Sequence, residues 1–557
     1  MKQLQIGMAS FQELIEDNYV YADKTRHVYE LVSKGKFYFL SRPRRFGKSL
    51  LLSTFEALFS GPPDPNGPQK GLFQDLWIGR HSNYDFSQKY PIINLSMSTL
   101  GSTQEALIQY LSDKLQNIII REKLSLSLSP LNLDFGSVVE SLNCKYGQKV
   151  VVLIDEYDAP ISENIGDLPL ALKFRDVLKG FYSSLKGSDK YLRFVFVTGV
   201  TRYALTGLSA GLNQLKDLTF DEKYADICGF TPEEFDSCFE EHLPVVLQNM
   251  KNKGRLPEDQ TVSDLRKKFL SWYDGYSWDG ETRVLNPYSI LNCLDMSKFD
   301  NYWVNTYPSA GFLRNLIAEY DGDPTVVLQD KYDSYSQTVL GSAEVSELTP
   351  VAGLFQTGYL TTDTITAKPN APEVYSLKIP NWEVKYNNYN IFSNTLFSLL
   401  GRTPTAAKNS FESALMDRDS GRMTELIGSV FASLPAIHHR DNESFYHSVL
   451  FGFCRSVCNL VFSETPGAVG TPDLFFYCPN EVYVALELKY DKGTKSSDQE
   501  ALLKKQALKA IYTIDTKSYL SPYLDKAKQL IKIGLGVTYR GKCLAIVQDF
   551  VRKNDRQ

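Results

Sequence analysis

The stretch from Lys36 to Leu52 constrains the fold of this chain most, because it joins an apolar strand, a turn-forming loop and the start of a helix. The loop ends in Gly47-Lys48-Ser49. A loop that runs into a helix presents free backbone N–H groups and the positive end of the helix dipole to an anion. Gly47 allows close approach of the backbone, Lys48 can reach phosphate groups, and the Ser49 hydroxyl can hold Mg²⁺. The stretch therefore predicts a phosphate-binding site.

This predicted phosphate loop departs from the pattern Gly-x-x-x-x-Gly-Lys-Ser/Thr at its first position, where the chain has Arg42. The loop alone is therefore only moderately specific for a nucleotide. Four further residues of the stretch, namely Arg44, Arg45, Phe46 and Leu50, are predicted to complete the nucleotide contacts.

A second motif supports the nucleotide interpretation. Residues 150–154 are apolar and lead directly into Asp155 and Glu156. Such a run is typical of a strand buried on both faces of a parallel sheet. Asp155 is expected to bind Mg²⁺, directly or through water, and Glu156 to activate the attacking water of phosphoryl transfer. A lone Asp-Glu pair at a strand end is more often merely solvated, but with the phosphate loop it predicts a site for ATP and Mg²⁺.

Strands and helices alternate around these two motifs. A strand is predicted at residues 90–96, a helix from about 104 to 123 and a further buried strand at 193–199. This order implies a parallel sheet with helices on both faces. Thr198 is predicted to lie next to the γ-phosphate, and Arg202 to stabilise charge in cis or from a neighbouring subunit. An arginine after a strand is also commonly just solvated.

Several phrases of the chain resemble a bacterial AAA-ATPase-like family whose members carry a C-terminal PD-(D/E)XK nuclease-like domain. The resemblance rests on residues 21–25, 42–49 and 153–158, and it continues through 355–360, so that it spans nearly the whole chain. The form Arg-Pro-Arg-Arg-Phe-Gly-Lys-Ser is usual in that family, which makes Arg42 less exceptional.

The resemblance also implies that the lead-in segment packs beside the nucleotide, so Tyr21 and Asp23 are expected near the adenine or the phosphates. A plain helix-capping role is the alternative for Asp23-Lys24-Thr25, which interrupts the apolar stripe of residues 8–35.

Length and resemblance together predict three domains in an α/β protein. A chain of 557 residues is too long for one core. The predicted parts are a P-loop NTPase domain with a parallel sheet and helices on both faces (residues 1–228), a mostly helical, lid-like middle domain with a small β element (229–395) and an α/β restriction-endonuclease-like domain (396–557).

Composition excludes several classes of protein. With 43% hydrophobic residues, 22% charged residues and a net charge of -5, the chain is neither disordered nor generally basic. No signal peptide or membrane-spanning run is apparent, so a cytoplasmic protein without a membrane partner is expected. The eight cysteines lack Cys-x-x-Cys pairs. Buried free thiols are therefore predicted, including Cys454 and Cys458, which suit a core better than a metal site.

The middle of the chain shows helix signals and little chemistry. Thr231, Pro232 and Glu234 form a capping-box pattern, and mostly helical sequence follows to about residue 320. Residues 345–390, with 354–360 and 376–381, predict a small β element. Four aromatic residues could form a base-stacking platform, but core packing is the favoured interpretation. They are Trp272, Tyr273, Tyr276 and Trp278.

The C-terminal part carries a second constellation. A strand is predicted from Thr471 to Tyr477, and its hairpin partner from Val482 to Tyr490. Asp473 follows Pro472, and Glu487 and Lys489 project from one face of the partner strand because strands have a period of two. Two carboxylates can bind Mg²⁺ or Mn²⁺, which lowers the pKa of a bound water, while the lysine orients that water or stabilises developing charge. A solvated strand face is the alternative.

Neighbouring residues strengthen this interpretation. By resemblance, Glu443 is the position of an additional metal carboxylate and Gln506 that of a glutamine beside the site; His447 lies one helical turn after Glu443. The segment from Lys489 to Lys532 is locally basic and could contact the phosphates of a nucleic acid. Its lysines include Lys492, Lys495, Lys504, Lys505 and Lys509.

The sequence thus predicts an enzyme that binds and hydrolyses ATP, coupled to a Mg²⁺-dependent nuclease that acts on DNA in a mobile-element or defence context. The alternative is a regulator or scaffold that ATP switches and whose C-terminal domain binds nucleic acid or protein without cutting. The choice between DNA and RNA, the strand state, the cut specificity, the activity of the nuclease site and self-association stay open. The predicted catalytic residues are Glu156, Glu443, Asp473, Glu487, Lys489 and Gln506; the predicted metal ligands are Ser49, Asp155, Glu443, Asp473 and Glu487.

Overall fold

The computed structural model describes most of the chain, in two compact units. The first unit comprises residues 1–316 and 330–385, the second 317–329 and 386–557. The predicted domain boundaries at residues 228 and 395 stay predictions. The described residues are 1–61, 71–97, 103–128, 133–164, 167–202, 215–303, 324–329, 331–341, 348–369, 371–401, 403–434, 439, 441–458, 460–463, 472–478, 481–492, 499–525 and 527–550.

The first unit is built from strands and helices in alternation. Its described strands are β1 (Phe37–Ser41), β2 (Ile92–Ser96), β3 (Val150–Asp155), β4 (Leu192–Gly199), β5 (Lys216–Asp217), β6 (Tyr332–Ser336), β7 (Thr361–Lys368) and β8 (Ala371–Lys378). Its described helices are α1 (Phe11–Glu16), α2 (Thr25–Lys34), α3 (Lys48–Ser60), α4 (Trp77–His81), α5 (Gln104–Arg121), α6 (Phe135–Tyr146), α7 (Ala159–Ser162), α8 (Leu168–Ser183), α9 (Pro232–Phe239), α10 (His242–Asn252), α11 (Val262–Tyr273), α12 (Pro287–Met296), α13 (Gln337–Leu340) and α14 (Pro350–Thr357).

Five strands form a parallel sheet in the order β2-β3-β4-β1-β5. On β4, Phe194 and Phe196 contact Phe55 of α3, whereas Val195 and Val197 lie in a core that α5, α6 and α8 also build. Successive strand residues point to opposite faces, so helices cover both faces of the sheet. The predicted parallel sheet is confirmed, and the carboxyl ends of β1, β3 and β4 meet at one edge.

The segment after this sheet is helical, as predicted for its described part. Thr231 caps α9 with the reciprocal Glu234 bonds of a capping box. The aromatic residues singled out above pack inside the unit, and Tyr273, Tyr276 and Trp278 are buried. The part of the predicted helical region from 304 to 320 lies outside the described residues.

The predicted small β element exists, but its extent was partly wrong. Strands β6, β8 and β7 form a three-stranded sheet, yet residues 354–357 end helix α14. Thr349 caps this helix, Pro350 occupies its first turn, and Gly358 ends it in a left-handed conformation with φ of 90°. These local helix signals outweigh an apolar run, whose length alone does not separate helix from strand.

The second unit holds a mixed sheet and helices. Its described strands are β9 (Leu460–Ser463), β10 (Leu474–Cys478), β11 (Val482–Asp491), β12 (Gln529–Thr538) and β13 (Cys543–Asp549). Its described helices are α15 (Trp382–Leu400), which begins at the end of the first unit, α16 (Pro404–Met416), α17 (Ser420–Ala432), α18 (Glu443–Val457) and α19 (Gln499–Lys517).

The sheet order is β13-β12-β11-β10-β9; β11 and β12 are parallel, and the other pairs are antiparallel. The predicted hairpin of β10 and β11 is confirmed, while its turn at 479–480 lies outside the described residues. A Cβ on Gly534 would lie 2.3 Å from the Ala507 carbonyl oxygen, and one on Gly536 2.2 Å from that of Leu503. The two glycines of β12 therefore let the backbone of α19 pack directly on the sheet.

Two general expectations can be compared with this fold. All eight cysteines are free thiols, as predicted, and Cys454 and Cys458 are buried. The predicted burial was wrong for Cys144, which is exposed, and only partly right for Cys238 and Cys543, which are half-buried. In the portions of the chain that the structure describes, no helix combines the length and the apolar character needed to cross a membrane.

Candidate functional site

The phosphate loop connects β1 to α3 at the carboxyl edge of the parallel sheet. Gly47 adopts φ of 95°, a left-handed conformation that favours glycine, and a Cβ there would meet nothing within 4 Å. Glycine is thus required for the backbone conformation and not for space. The first helical bond runs from the Leu51 N–H to the Gly47 carbonyl, at 3.0 Å. The N–H groups of Lys48, Ser49 and Leu50 precede that bond and lie at the helix start, where an anion can accept them.

Lys48 is buried within the loop and is held by carbonyl groups. Its Nζ donates to the carbonyl oxygens of Arg42 at 2.8 Å and Pro43 at 2.9 Å. Burial lowers the pKa of Lys48, while the charges of Asp155 and Glu156 act in the opposite direction. The ammonium group therefore sits beside the loop with no carboxylate directly bonded to it among the described residues.

Asp155 joins three elements of the fold at the end of β3. The Ser49 hydroxyl donates to its Oδ2 at 2.5 Å, and the Thr198 hydroxyl donates to its Oδ1 at 2.6 Å. The structure thus brings together three of the residues predicted from separate motifs. A carboxylate and hydroxyl oxygens are hard donors of the kind that Mg²⁺ uses together with phosphate oxygens and water, so this donor set fits the ion.

Glu156 follows Asp155 with a positive φ of 52°, which is uncommon for a residue with a side chain. Burial raises the pKa of Glu156, whereas the charge of Lys48 lowers it. The residue lines the cavity described next. The chain therefore turns after β3. The side chain of Asp155 bonds to Ser49 and Thr198, whereas Glu156 lines the cavity.

A cavity of about 400 Å³ opens at the phosphate loop. Its wall combines polar residues, among them those of the loop and Glu156, with apolar residues. This volume and mixed lining suit a small ligand that carries both anionic and apolar groups. The apolar part includes Met8, Leu14, Val20, Ile227, Phe230 and Leu291, and Tyr21 and Lys24 also line the cavity.

Arg42 lies behind the loop and not in this cavity. Its guanidinium donates to the carbonyl oxygens of Ser41 and Thr219 at 2.9 Å each and of Tyr224 at 3.1 Å. It also stacks on the Trp278 ring, 3.8 Å from the ring centre. Burial lowers the pKa of Arg42 to about 10. The arginine at the first motif position therefore anchors the loop to a later segment.

The other loop residues divide between cavity and core. Arg44 pairs with Glu163 at 3.1 Å, the Arg45 guanidinium lies 4.7 Å from the Tyr288 ring centre, and both arginines line the cavity. Phe46 is buried but reaches the cavity wall. The predicted nucleotide contacts of these residues stay predictions.

Two residues predicted near the nucleotide face elsewhere. Arg202 does not line the cavity and pairs with Asp217 at 2.6 Å. Asp23 accepts hydrogen bonds from the N–H groups of Thr25 at 2.9 Å and Trp77 at 2.6 Å. Asp23 thus bonds to the first residues of two helices, α2 and α4, and does not line the cavity.

The second unit contains a cluster of charged residues at β10 and β11. The Asp473 N–H donates to Glu487 Oε2 at 3.3 Å, and Asp473 Oδ2 accepts from the Leu488 N–H at 2.7 Å. Lys489 Nζ lies 3.0 Å from Glu487 Oε1 and 3.8 Å from Glu443 Oε1. We call Glu443, Asp473, Glu487 and Lys489 the carboxylate cluster. The structure brings all four predicted residues together.

Burial and repulsion make the carboxylate cluster costly in its ionised form. Burial raises the pKa of Asp473, and burial followed by the charge of Asp473 raises the pKa of Glu487. Burial alone would lower the pKa of Lys489, but its hydrogen bond and charge interaction with Glu487 raise it. A positive charge placed between the two carboxylates would therefore be stabilised.

Two further predicted residues flank the carboxylate cluster differently. His447 Nε2 lies 2.9 Å from the Asp473 carbonyl oxygen and so supports the backbone of that residue. Gln506 donates through Nε2 to Asp491 at 2.8 Å, so its amide faces Asp491. The predicted catalytic role of Gln506 stays a prediction.

The carboxylate cluster does not form a complete set of metal ligands. Within the described residues, no group of three or more His, Cys, Asp or Glu side chains is arranged to hold a metal ion. Mg²⁺ commonly uses one or two carboxylates and fills its other positions with water and substrate oxygens. The oxygen donors of Asp473 and Glu487 fit that second pattern.

The predicted basic segment is partly exposed. Lys504, Lys505 and Lys509 are exposed along α19, together with Tyr512, whose exposed fraction is 69%. Lys492 pairs with Asp441. Lys495 lies outside the described residues.

Comparison with known proteins identifies the family. The family model described as "Predicted AAA-ATPase", of the AAA-ATPase-like type, matches residues 5–209. A relative described as "Uncharacterized protein in vnfD 5'region", from Azotobacter chroococcum mcd 1, is 31% identical over 546 residues, which cover 96% of each chain. Residues 5–209 are a predicted AAA-ATPase-like domain. This domain contains the phosphate loop, Asp155, Glu156 and Thr198.

The AAA-ATPase-like site also uses a residue that sequence reasoning missed. Asp158 is buried and accepts hydrogen bonds from the N–H groups of Val200 at 3.1 Å and Thr201 at 2.7 Å. It thereby holds the chain just after β4, where Thr198 meets Asp155. A third carboxylate shortly after Asp155 was the available signal, but only the fold brings it to the end of β4.

Proposed function

We propose that this protein binds ATP with Mg²⁺ at the phosphate loop and hydrolyses it. The observation that carries the proposal is the hydrogen-bonded series from Ser49 through Asp155 to Thr198, beside a cavity with a polar and an apolar part. The match of residues 5–209 to the AAA-ATPase-like family supports it. The apolar wall suits a purine base, and the loop suits the phosphates.

Each residue has a distinct role in this proposal. The N–H groups at the start of α3 and the Lys48 ammonium neutralise phosphate charge. Ser49 and Asp155 would hold Mg²⁺, which supplies further charge neutralisation at the phosphates. Glu156 accepts a proton from the attacking water, and its raised pKa brings it closer to the pH at which a base works best. Thr198 orients the Asp155 carboxylate.

Calorimetry tests the ATP site. Lys48→Ala should abolish measurable ATP binding, because it removes the cation of the loop, and Asp155→Ala should abolish Mg²⁺-dependent turnover. Lys34→Ala is a matched control, since Lys34 is an exposed lysine that pairs with Glu30 on α2. Parental ATP affinity in Lys48→Ala would remove the loop from the site.

We further propose that the second unit is a Mg²⁺-dependent nuclease domain that acts on DNA. The juxtaposition of Asp473, Glu487 and Lys489 on neighbouring strands carries this proposal. Two local features add support: β10 and β11 pair as the predicted hairpin, and α19, which bears Gln506, packs on the same sheet.

The carboxylate cluster would act through its charges. Asp473 and Glu487 would hold Mg²⁺, or Mn²⁺ in its place, and the ion would polarise the scissile phosphate. Lys489 would then release Glu487 and donate its hydrogen bond to the attacking water or to the developing negative charge. Glu443 keeps the lysine near by, and the exposed lysines of α19 would contact the DNA backbone.

A cleavage assay tests this domain. The parental protein should cut within a panel of single- and double-stranded DNA and RNA in Mg²⁺ or Mn²⁺, and Asp473→Asn, Glu487→Gln and Lys489→Met should each be inactive while still binding. Glu425→Gln, which changes an exposed carboxylate on α17, is the control. Assays with and without ATP measure coupling. A silent parent, or Asp473→Asn that cuts like the parent, would favour an ATP-switched scaffold.

A further inference from the structure

Glu383 is a completely buried carboxyl group in the first unit. The Ser289 hydroxyl lies 2.9 and 2.8 Å from its two oxygens, and the Trp303 backbone N–H donates to Oε1 at 2.8 Å. Burial raises the pKa of Glu383 to about 8. Burying such a group is costly unless hydrogen bonds satisfy it.

Among the described residues, the charge with the largest effect on this carboxyl group is that of Asp300, another acid, which also raises its pKa. Neutral titratable groups interact with it as well: Tyr273 of α11, Tyr276, Cys293 of α12 and Tyr302. Its hydrogen bonds are therefore what stabilises the ionised form. The bond to Trp303 links it to the phosphate loop.

Trp303 connects Glu383 to the loop through its second N–H group. The side chain is fully buried, and its indole Nε1–H donates to the Arg44 carbonyl oxygen at 3.1 Å. The next residue, Arg45, has a positive φ of 69°, so the loop turns sharply at this point. A carbonyl held by the indole cannot rotate toward the cavity, where its partial negative charge would repel phosphate.

We propose that Glu383 is a positioning residue for the phosphate loop, which acts through Trp303 on the Arg44 carbonyl and so sets the affinity for ATP. The proposal rests on the ATP site proposed above. Glu383 touches neither the cavity nor the residues that would react. Its effect should therefore fall on binding and not on the hydrolysis step.

Trp303→Phe tests the bridge directly, because it removes the indole N–H and keeps most of the ring. Loss of one hydrogen bond should weaken ATP binding by about three- to tenfold, while kcat at saturating ATP stays within about twofold. Trp272→Phe makes the same change in another part of this unit's core and should leave the Kd for ATP unchanged. Thermal unfolding of each variant checks that the fold is kept.

Two changes at Glu383 separate hydrogen bonding from charge. Glu383→Gln keeps an oxygen for the Trp303 N–H and should stay within about threefold of the parental Kd, whereas Glu383→Leu should weaken binding about tenfold. Ionisation strengthens the bond to Trp303. ATP affinity of the parent should therefore rise from pH 7 to pH 9 relative to Glu383→Gln, which does not titrate.

The outcomes separate this inference from the proposed function. A parent that binds no ATP would overturn the ATP site and the inference with it. A parent that binds ATP, with parental affinity in both Trp303→Phe and Glu383→Leu, would overturn the inference alone. If Glu383→Leu does not fold, Trp303→Phe decides: a raised Kd with unchanged kcat supports the role, and an unchanged Kd removes it.

Discussion

The two candidate sites combine a lysine with carboxylates in opposite ways. At the phosphate loop, carbonyl groups hold Lys48, and hydroxyl groups hold Asp155. In the carboxylate cluster, Lys489 pairs directly with Glu487. The first arrangement keeps a cation ready for an anionic ligand. The second lets the protein's own cation neutralise carboxylates that a metal ion would otherwise neutralise.

The largest expected effect is a loss of ATP hydrolysis without a loss of ATP binding at the first site. Glu156→Gln should bind ATP with parental affinity but hydrolyse it at least about a hundredfold more slowly, the scale of losing a positioned base. Single-turnover hydrolysis and calorimetry on the same preparation measure the two quantities. If the variant hydrolyses ATP at the parental rate, Glu156 is only a strand-end carboxylate and has no role in hydrolysis.

Removal of the internal cation should affect the second site strongly. Lys489→Met leaves the buried Glu487 without its partner and should destabilise the metal-free second unit by about 1–3 kcal/mol. Mg²⁺ should restore part of this loss, because it replaces the missing charge. Thermal unfolding with and without Mg²⁺ measures the effect. An equal response of Lys489→Met and the parent to Mg²⁺ would contradict the proposed exchange of cations.

The pH dependence of stability should differ with the metal. Because Asp473 and Glu487 have raised pKa values in the folded state, the native protein binds more protons than the unfolded chain above the ordinary carboxyl range. Their contribution to stability is fully present below their unfolded pKa values and is lost as pH rises through the folded ones. Mg²⁺ should reduce this loss at neutral pH. The double variant Asp473→Asn, Glu487→Gln should show neither effect in melting curves recorded across pH.

The smallest effect concerns the exposed lysines of α19. Replacement of Lys504, Lys505 and Lys509 by Gln should lower the slope of log K for DNA against log salt by about 0.7–0.9 for each lysine–phosphate interaction that is removed. The control changes the three exposed lysines Lys173, Lys179 and Lys253, which lie in the first unit. Equal slopes in the two triple variants would show that this helix face does not bind the DNA.

Local patterns were sufficient for the elements that carry chemistry. The strand before Asp155, the helix from Lys48 and the hairpin of Asp473 and Glu487 each follow from apolar runs and residue spacing. The helix that ends at Thr357 was misread, because an apolar run does not distinguish a buried helix from a strand. Its capping threonine and following glycine were the better signals.

Long-range partners could not be predicted in the same way. Nothing near Asp158 in sequence indicates that its carboxylate accepts N–H groups after β4, and nothing near Glu383 indicates that it is buried beside Trp303. These contacts depend on how distant segments pack. Such contacts determine how the site residues are held in place. The spacing of residues in the sequence is sufficient only to identify the site residues themselves.

Arg42 bears on how this phosphate loop could arise or be lost by mutation. A glycine at this position would remove the arginine's donors from the carbonyls of Ser41, Thr219 and Tyr224. The Tyr224 carbonyl would keep the Ile227 N–H at 3.3 Å, whereas a buried carbonyl left unsatisfied costs about 1–3 kcal/mol. Conversely, an arginine introduced into a loop that has glycine at this position would need those carbonyl acceptors and an aromatic ring such as Trp278 on which to stack. The two loop types are therefore separated by several coordinated substitutions, and a single exchange at residue 42 in either direction passes through a destabilised protein.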